Sequence, residues 1–523
     1  MTMVLRHSSG RVRWVRSTEL AGPLGFALVS AIAFIVVRPP VGDLVAALAR
    51  QSAAAAGVGG YWFGWYAGGA STGSYSVIVP PLSALMTAPV LAAVCAVAIT
   101  PLTRWLLVGS RRPNHAVWVA TVAAAGSLWS GRVPFIVGMA IGIAALAVAR
   151  RNLRVLTVVL SVAMSLASPV AGAFGLLAFA AGFIWTKSNR ETNALGGLSA
   201  GLTIGVLALW FGTPGAEGFD VGSAAICMAL LPLMLLAHPT RPVKAAIAIA
   251  AIALPVLVVV PNGMGSNFER LFYAALPVAV VATGRARRWV TVGTVVPALA
   301  FGLFFTGADL AVASAPTAKP IYYSTLAAEM HRLPDLTNHR VEVVQDGTHT
   351  AAYAMLGVAT LARGYETQAD DQLDGLLNHG TAVDAPAYRQ WLLDNAVAYV
   401  AATKAPVQRT AELRLVVDHT PSYLHRIWQN SRWTVYAVRG ATPVVAPPGH
   451  LVRMDQDEMV VRSDGPAVIE LRLHWSALLA VQELPADPAA ATPATLTRDG
   501  AWTTLTVDRA GTYQLAGRWL PSR

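Results

Sequence analysis

Hydrophobic and polar positions divide the chain at about residue 310. Before it, Leu/Ala/Val-rich runs long enough to cross a bilayer recur near 20–37, 84–108, 115–130, 133–149, 154–168, 170–186, 194–212, 221–237, 243–260, 270–283 and 289–309. Several are short for a full crossing. The breaks at Trp129-Ser130-Gly131-Arg132 and Ser168-Pro169 fit either tight turns between antiparallel spans or kinks in fewer, longer helices. After Ile321 the texture is that of a soluble domain. Residues 339–345 (HRVEVVQ), 397–401 and 433–438 (WTVYAV) alternate like strands, and 385–395 has helical spacing. Beyond Ala446-Pro447-Pro448-Gly449, short strands at 459–462, 467–473, 502–507 and 513–515 are separated by turn residues, and 485–493 reads as a linker-like insertion.

The pattern therefore predicts a polytopic α-helical membrane protein of about eleven transmembrane helices, with a C-terminal α/β module and a small β-sandwich. The expected division is 1–315 for the transmembrane domain, 316–445 for the α/β domain and 446–523 for the sandwich. One connection stands apart. Residues 38–83 form a long interruption after the first span, too rich in aromatics for a disordered linker, and are read as an ordered loop at a membrane face.

Charge sets the expected topology. Through Pro316 the chain has 21 Lys/Arg against seven Asp/Glu, leaving 18 against 21 for the remainder, so the basic excess belongs to the membrane part rather than to a nucleic-acid surface. If all eleven segments cross, the N-terminal arginines, Arg104/Arg111/Arg112, Arg150/Arg151/Arg154, Lys187/Arg190, Arg241/Lys244 and Arg285/Arg287/Arg288 share one side. Only Arg38, Arg50, Arg132 and Arg270 face the other. The positive-inside rule then makes the N-terminus cytoplasmic and places the 38–83 loop and the C-terminal region outside a plasma (inner) membrane. The first span follows four arginines and has no convincing cleavage site, so an uncleaved span is expected. Cys95 and Cys227 lie in apolar runs as buried thiols, and no zinc, nucleotide-loop, serine-hydrolase or zinc-protease motif is present.

Candidate chemistry collects on the outer face. Asp43, just beyond the first span, is placed to take a proton from a hydroxyl, or to N-cap the amphipathic segment 44–56. Arg50 suits a lipid phosphate or a snorkelling role, and Arg132, Asn267 and Arg270 suit the phosphate of a lipid-linked donor. An internal salt bridge such as Glu269 with Arg132 is the bland alternative. In YWFGWY and its surroundings, Trp62, Trp65, Tyr66 and Tyr75 are candidates for stacking on a sugar, against the default of an interfacial aromatic belt. In the tail, LARGYETQ offers Arg363 and Tyr365 as acceptor contacts if that loop closes over the membrane cavity, while Trp391, Trp428 and Trp433 read as core.

One span, a long outer loop with an acid near its start, about ten further spans and an extracytoplasmic tail resemble the GT-C superfamily of polyprenyl-phosphate-sugar-dependent glycosyltransferases. The segments GDLVAALARQ, WYAGGASTGSYSVIVPPL, GSNFERL, LARGYETQ and YRQWLLDNAVAYVA resemble, over nearly the whole chain, a group of large actinobacterial integral membrane proteins generally without an assigned function. The superfamily resemblance implies Asp43 as catalytic base, a decaprenyl- or undecaprenyl-phosphate sugar as donor, and a cell-envelope glycan, lipid or protein as acceptor. This chain departs from the superfamily in carrying one acid where many members carry an adjacent pair, with Glu217, Asp220 and Glu269 as the later acids. No cofactor is implied, and a divalent metal has no support in the sequence. The alternative function is a non-catalytic transporter or envelope-assembly protein, although neither internal repeats nor broken polar helices are evident.

Overall fold

The computed structural model describes residues 18–518 apart from 59–60, 63–64, 69, 72, 74, 212–214, 379–381, 408–409 and 486–493. The linker-like insertion thus falls almost entirely outside the described residues. All eleven apolar segments are helical: α1 (Thr18–Val37), α4 (Ala88–Leu106), α5 (Pro113–Trp129), α6 (Val133–Ala149), α7 (Arg154–Ala167), α8 (Pro169–Trp185), α9 (Arg190–Phe211), α10 (Val221–Leu235), α11 (Arg241–Val259), α12 (Leu276–Thr283) and α13 (Arg288–Ala313). Two further helices, α2 (Gly42–Ala55) and α3 (Val79–Met86), lie between α1 and α4, the first inside the 38–83 loop and the second at its end. Among the described residues, five segments are long and apolar enough to cross a membrane alone, namely Glu19–Val37, Ala88–Leu106, Lys187–Phe211, Arg241–Val259 and Arg288–Ala313. Shorter apolar helices, including α6, α7, α8 and α10, pack among them.

Both ambiguous breaks end one helix and begin the next. Gly131, at φ +72°, makes the turn between α5 and α6, while Ser168 caps α8 by accepting from Ala171 N–H at 3.3 Å. Hydrogen bonds then show which helix ends meet. At one end Arg112 donates to Ala286 O (2.6 Å), Arg151 to Trp105 O (3.1 Å), Asn189 to Ala149 O (3.0 Å), and Arg285 N–H to Ala237 O (2.9 Å). The inter-span basic clusters therefore share one end of the bundle. At the other, Ser76 donates to Ala167 O (2.8 Å) and Glu217 N–H to Asn262 O (2.8 Å). The helices run back and forth between these ends, as the charge pattern requires.

In the tail, β3 (Arg340–Val343), β4 (Val397–Thr403), β5 (Leu424–Gln429) and β6 (Trp433–Val438) form a sheet ordered β3-β4-β6-β5, with β3 parallel to β4 and the other pairs antiparallel. Helix Ala385–Asp394 feeds β4, capped by Asp384 Oδ2 accepting from Ala387 N–H at 2.9 Å. All seven residues of β4 are buried, as befits an interior strand covered on both faces. Two antiparallel sheets follow. One is β10 (Leu479–Leu484), β13 (Gly511–Gly517), β8 (Glu458–Ser463) and β7 (His450–Met454), in that order. The other is β11 (Ala494–Asp499), β12 (Trp502–Val507) and β9 (Ala467–His474). Their shared core includes Met459, Val461, Ile469, Leu471, Leu505 and Tyr513.

The 38–83 loop is the interface between the two halves. Its short ladder of β1 (Tyr61–Trp62) and β2 (Ala70–Ser71) is followed by contacts that reach both parts of the tail. Trp65 Nε1 donates to Ala352 O (3.1 Å), Arg50 pairs with Glu366 (3.1 Å), and His474 Nδ1 meets Tyr66 O at 2.6 Å. Loop and tail consequently lie on the same end of the helical region.

Candidate functional site

Asp43 is the second residue of α2. Val41, not Asp43, occupies the N-cap, and no side chain caps the helix, so the capping role is not the one adopted. The carboxylate instead faces two arginines carried by other outer connections: its Oδ2 lies 3.7 Å from Arg132 Nε and 3.7 Å from Arg270 Nη2. Both separations exceed a hydrogen bond. Arg132 stands just after the Gly131 turn and is only 9% exposed. Its Nη1 donates to Tyr273 Oη at 2.6 Å and its Nη2 to Asp309 Oδ2 at 3.4 Å, but the buried Nε has no hydrogen-bond partner. Arg270 lies with its guanidinium 5.2 Å from the centre of the Phe135 ring. The Glu269–Arg132 salt bridge does not form; Arg132 pairs with Asp43 and Asp309 instead.

Two cavities flank these groups. The inner one, about 170 Å³, is bounded by Asp43, Arg50, Tyr75, Ser168 and Arg270 from the membrane part and by Tyr365, Glu366 and Gln368 from the tail. The outer one, about 680 Å³, is bounded by Arg132, Asp220, Ser223, Glu269, Tyr273 and the phenylalanines of α13. Glu217, Asn267 and Arg270 border both. Burial pushes the carboxyls of Glu217 and Glu269 up to about 7 each, opposed by the nearby arginines. Burial, reinforced by Asp43, likewise pushes the Tyr75 phenol up to about 12.

The sequence-derived site residues separate into three groups. Asp43, Arg132, Arg270, Asn267, Arg50, Tyr75 and Tyr365 border one cavity or the other. Within that group Asn267 Nδ2 is committed to Glu217 Oε2 (2.5 Å), and Arg50 is held by Glu366 and lies between the Trp65 and Tyr75 rings, 5.4 and 4.2 Å from their centres. Trp65, Tyr66 and Arg363, the other expected sugar or acceptor contacts, do not line either cavity. Trp65 and Tyr66 are fully buried in loop–tail packing, and Gly364 approaches Trp65 so closely that a Cβ there would meet the indole at 2.4 Å. Arg363 is enclosed in the α/β core by Glu342 and Glu412, both at 2.5 Å. The side chain of Trp62 lies outside the described residues. Of the three tryptophans read as core, Trp391 and Trp433 are buried, while Trp428 is half-buried and packs against the edge of that core.

Tyr273, Asp309 and Glu366 are not among the sequence-derived candidates, and Gln368 belongs to the LARGYETQ loop expected to close over the membrane cavity. A signal existed for Asp309, a lone acid inside an apolar span. Glu366 and Gln368 sit in the same LARGYETQ motif as Tyr365, but only the fold shows that residues 365, 366 and 368 border the cavity while 363 does not.

Among known structures, the single-particle cryo-EM structure of arabinosyltransferase EmbB from Mycobacterium smegmatis aligns with 99% of this chain at 13% identity and a TM-score of 0.35. The chain spans 65% of that protein's length. No protein-family model and no curated protein matches the sequence. The chemistry of the site therefore rests on this chain's own residues.

Proposed function

We propose that the protein is a GT-C-type membrane glycosyltransferase that moves a sugar from a polyprenyl-phosphate donor to a hydroxyl of a cell-envelope acceptor, on the extracytoplasmic face of the plasma membrane. The observation that carries this reading is the arrangement of Asp43 beside Arg132 and Arg270, with a buried Arg132 Nε that donates no hydrogen bond among the described residues. A buried guanidinium N–H that donates no hydrogen bond is costly, and a phosphate oxygen is an acceptor suited to it.

In this reading the acceptor oxygen attacks the anomeric carbon and its proton passes to the Asp43 carboxylate. The bond from that carbon to the phosphate oxygen breaks, its electron pair leaves with the polyprenyl phosphate, and the two guanidiniums meet the charge that develops there. Among the described residues no three His, Cys, Asp or Glu side chains are grouped to hold a metal ion, and the arginines are the cations the site itself supplies. The shared basic end of the bundle supports a cytoplasmic assignment for that end, and hence an outward-facing site.

The test is direct. Purified protein in nanodiscs is offered a panel of decaprenyl- and undecaprenyl-phosphate sugars, with binding and transfer measured separately. Binding of at least one donor and transfer to an envelope acceptor are expected. A protein that binds none, in a strain where Asp43→Asn complements a deletion fully, would leave the transport or assembly role instead.

A further inference from the structure

The reaction above does not use the carboxylate that borders both cavities. Glu217 lies in the outer connection between α9 and α10. Its backbone is fixed: its N–H donates to Asn262 O at 2.8 Å, and Gly265 approaches so closely that a Cβ there would meet the Glu217 Cγ at 2.6 Å. Its Oε2 accepts from two neutral carboxamides, Asn267 Nδ2 at 2.5 Å and Gln368 Nε2 at 3.3 Å, one from the membrane part and one from the tail. Both donors sit on Oε2, no hydrogen bond reaches Oε1 among the described residues, and Glu217 borders both cavities.

The surroundings specify what that oxygen would meet. The lining mixes the arginines Arg50, Arg132 and Arg270 with the carboxylates Asp43, Asp220, Glu217, Glu269 and Glu366, so it does not select a ligand of one charge, and a purely apolar ligand would strand the Glu217 carboxylate. The lining adds the Tyr75 and Ser168 hydroxyls and the side-chain carbonyls of Asn267 and Gln368, polar but uncharged groups suited to a neutral polyhydroxylated ring. Arg270 borders the same two cavities, so a sugar reaching Glu217 lies next to the guanidinium assigned to the donor phosphate.

We infer that Glu217 is the hydroxyl-binding residue of the site, its free carboxylate oxygen accepting a hydrogen bond from a hydroxyl of the sugar that the donor carries. This rests on the donor reading above and adds the group that recognises the sugar rather than its phosphate. The charged groups acting on Glu217 are Arg270, which favours its ionised form, and Asp43, Glu269 and Asp371, which together with burial disfavour it. Because the carboxyl is held up at about 7, the ionised, stronger acceptor is gained as pH rises through neutrality, and sugar-dependent affinity should rise with it.

The experiment compares two lipids on full-length protein in nanodiscs: an undecaprenyl-phosphate sugar and undecaprenyl phosphate alone. Glu217→Gln should weaken binding of the first by about tenfold to a hundredfold, the range for a hydrogen bond to a charged group, and leave the second within about twofold. The wild-type preference for the sugar-bearing lipid should also grow between about pH 6 and pH 8, a trend lost in the variant. Equal weakening of both lipids, or an unchanged preference in Glu217→Gln, overturns the assignment of Glu217 alone. A wild-type protein that binds neither lipid overturns the donor reading and this inference together.

Discussion

Arg50 and Glu366 stand 316 positions apart in the chain and 3.1 Å apart in the fold, with side chains only 6% and 7% exposed. One belongs to α2 of the 38–83 loop and the other to the tail, so this buried pair joins the two halves in the wall of the inner cavity. Tyr66 strengthens the joint: its hydroxyl accepts from Glu366 N–H at 2.6 Å and donates to Glu366 O at 3.1 Å.

Breaking that pair on one side should be worse than removing it altogether. Arg50→Met leaves Glu366 buried without its cation, at a cost of about 3–5 kcal/mol, whereas Arg50→Met with Glu366→Leu should recover much of the loss. The readout is the apparent Tm in detergent together with the rate at which trypsin releases the tail. A double variant no more stable than Arg50→Met would show that the pair does not act as a unit.

Asp43 and Arg270 should fail in different ways. Asp43→Asn keeps the side-chain shape but cannot take a proton at neutral pH, so transfer should fall by about two to four orders of magnitude with donor binding little changed. Arg270→Ala should weaken donor binding itself, by about 2–5 kcal/mol for a desolvated pair. Equilibrium binding and single-turnover transfer on the same preparations separate the two effects.

Gly131 controls how close Arg132 comes to Asp43. At φ +72°, a Cβ would meet Leu44 N at 2.6 Å, Leu44 Cβ at 2.7 Å and Val41 Cγ2 at 2.7 Å, the atoms that begin α2. Gly131→Ala should therefore push the start of α2 away from the arginines and lower transfer by about a hundredfold, with helix content by circular dichroism nearly unchanged. Full activity in this variant would mean that the spacing of Asp43 from Arg132 is not critical.

Acid should loosen the contact between sandwich and loop. His474 stacks on Trp502 with ring centres 4.5 Å apart and meets Tyr66 O, and burial holds its imidazole down at about 4 against an ordinary 6.5. Between those values the unfolded chain binds the proton that the folded chain does not, so this contribution is intact above about pH 6.5 and is lost as pH falls toward 4. Carboxyls held above their ordinary range, such as Glu217, act in the opposite sense, so the measurement is a difference. The loss of thermal stability from pH 7 to pH 5 should be smaller in His474→Asn than in the wild-type protein. Equal losses would remove His474 from the acid response.

By itself the sequence determined the eleven helices, the end at which the basic residues gather, and the strands at 397–401, 433–438, 467–473 and 502–507, all of which recur in the fold. These follow from local rules: apolar run length, alternation with a period of two, and charge excluded from the bilayer core. It also singled out Asp43, Arg132 and Arg270, because an acid or arginine at the edge of an apolar segment is conspicuous wherever the chain leads next. Tertiary structure alone decided which aromatic and charged residues remain available to a ligand. Trp65 and Tyr75 look equivalent in the sequence, yet the first is sealed by Gly364 and Ala352 and the second borders the cavity. Arg363 and Gln368 share one motif, yet Arg363 neutralises buried glutamates in the tail core while Gln368 reaches the membrane part at Gly263 O, 2.6 Å away. Burial and partner choice depend on contacts hundreds of residues apart, and no local pattern encodes which of two neighbouring side chains will face the cavity and which the core.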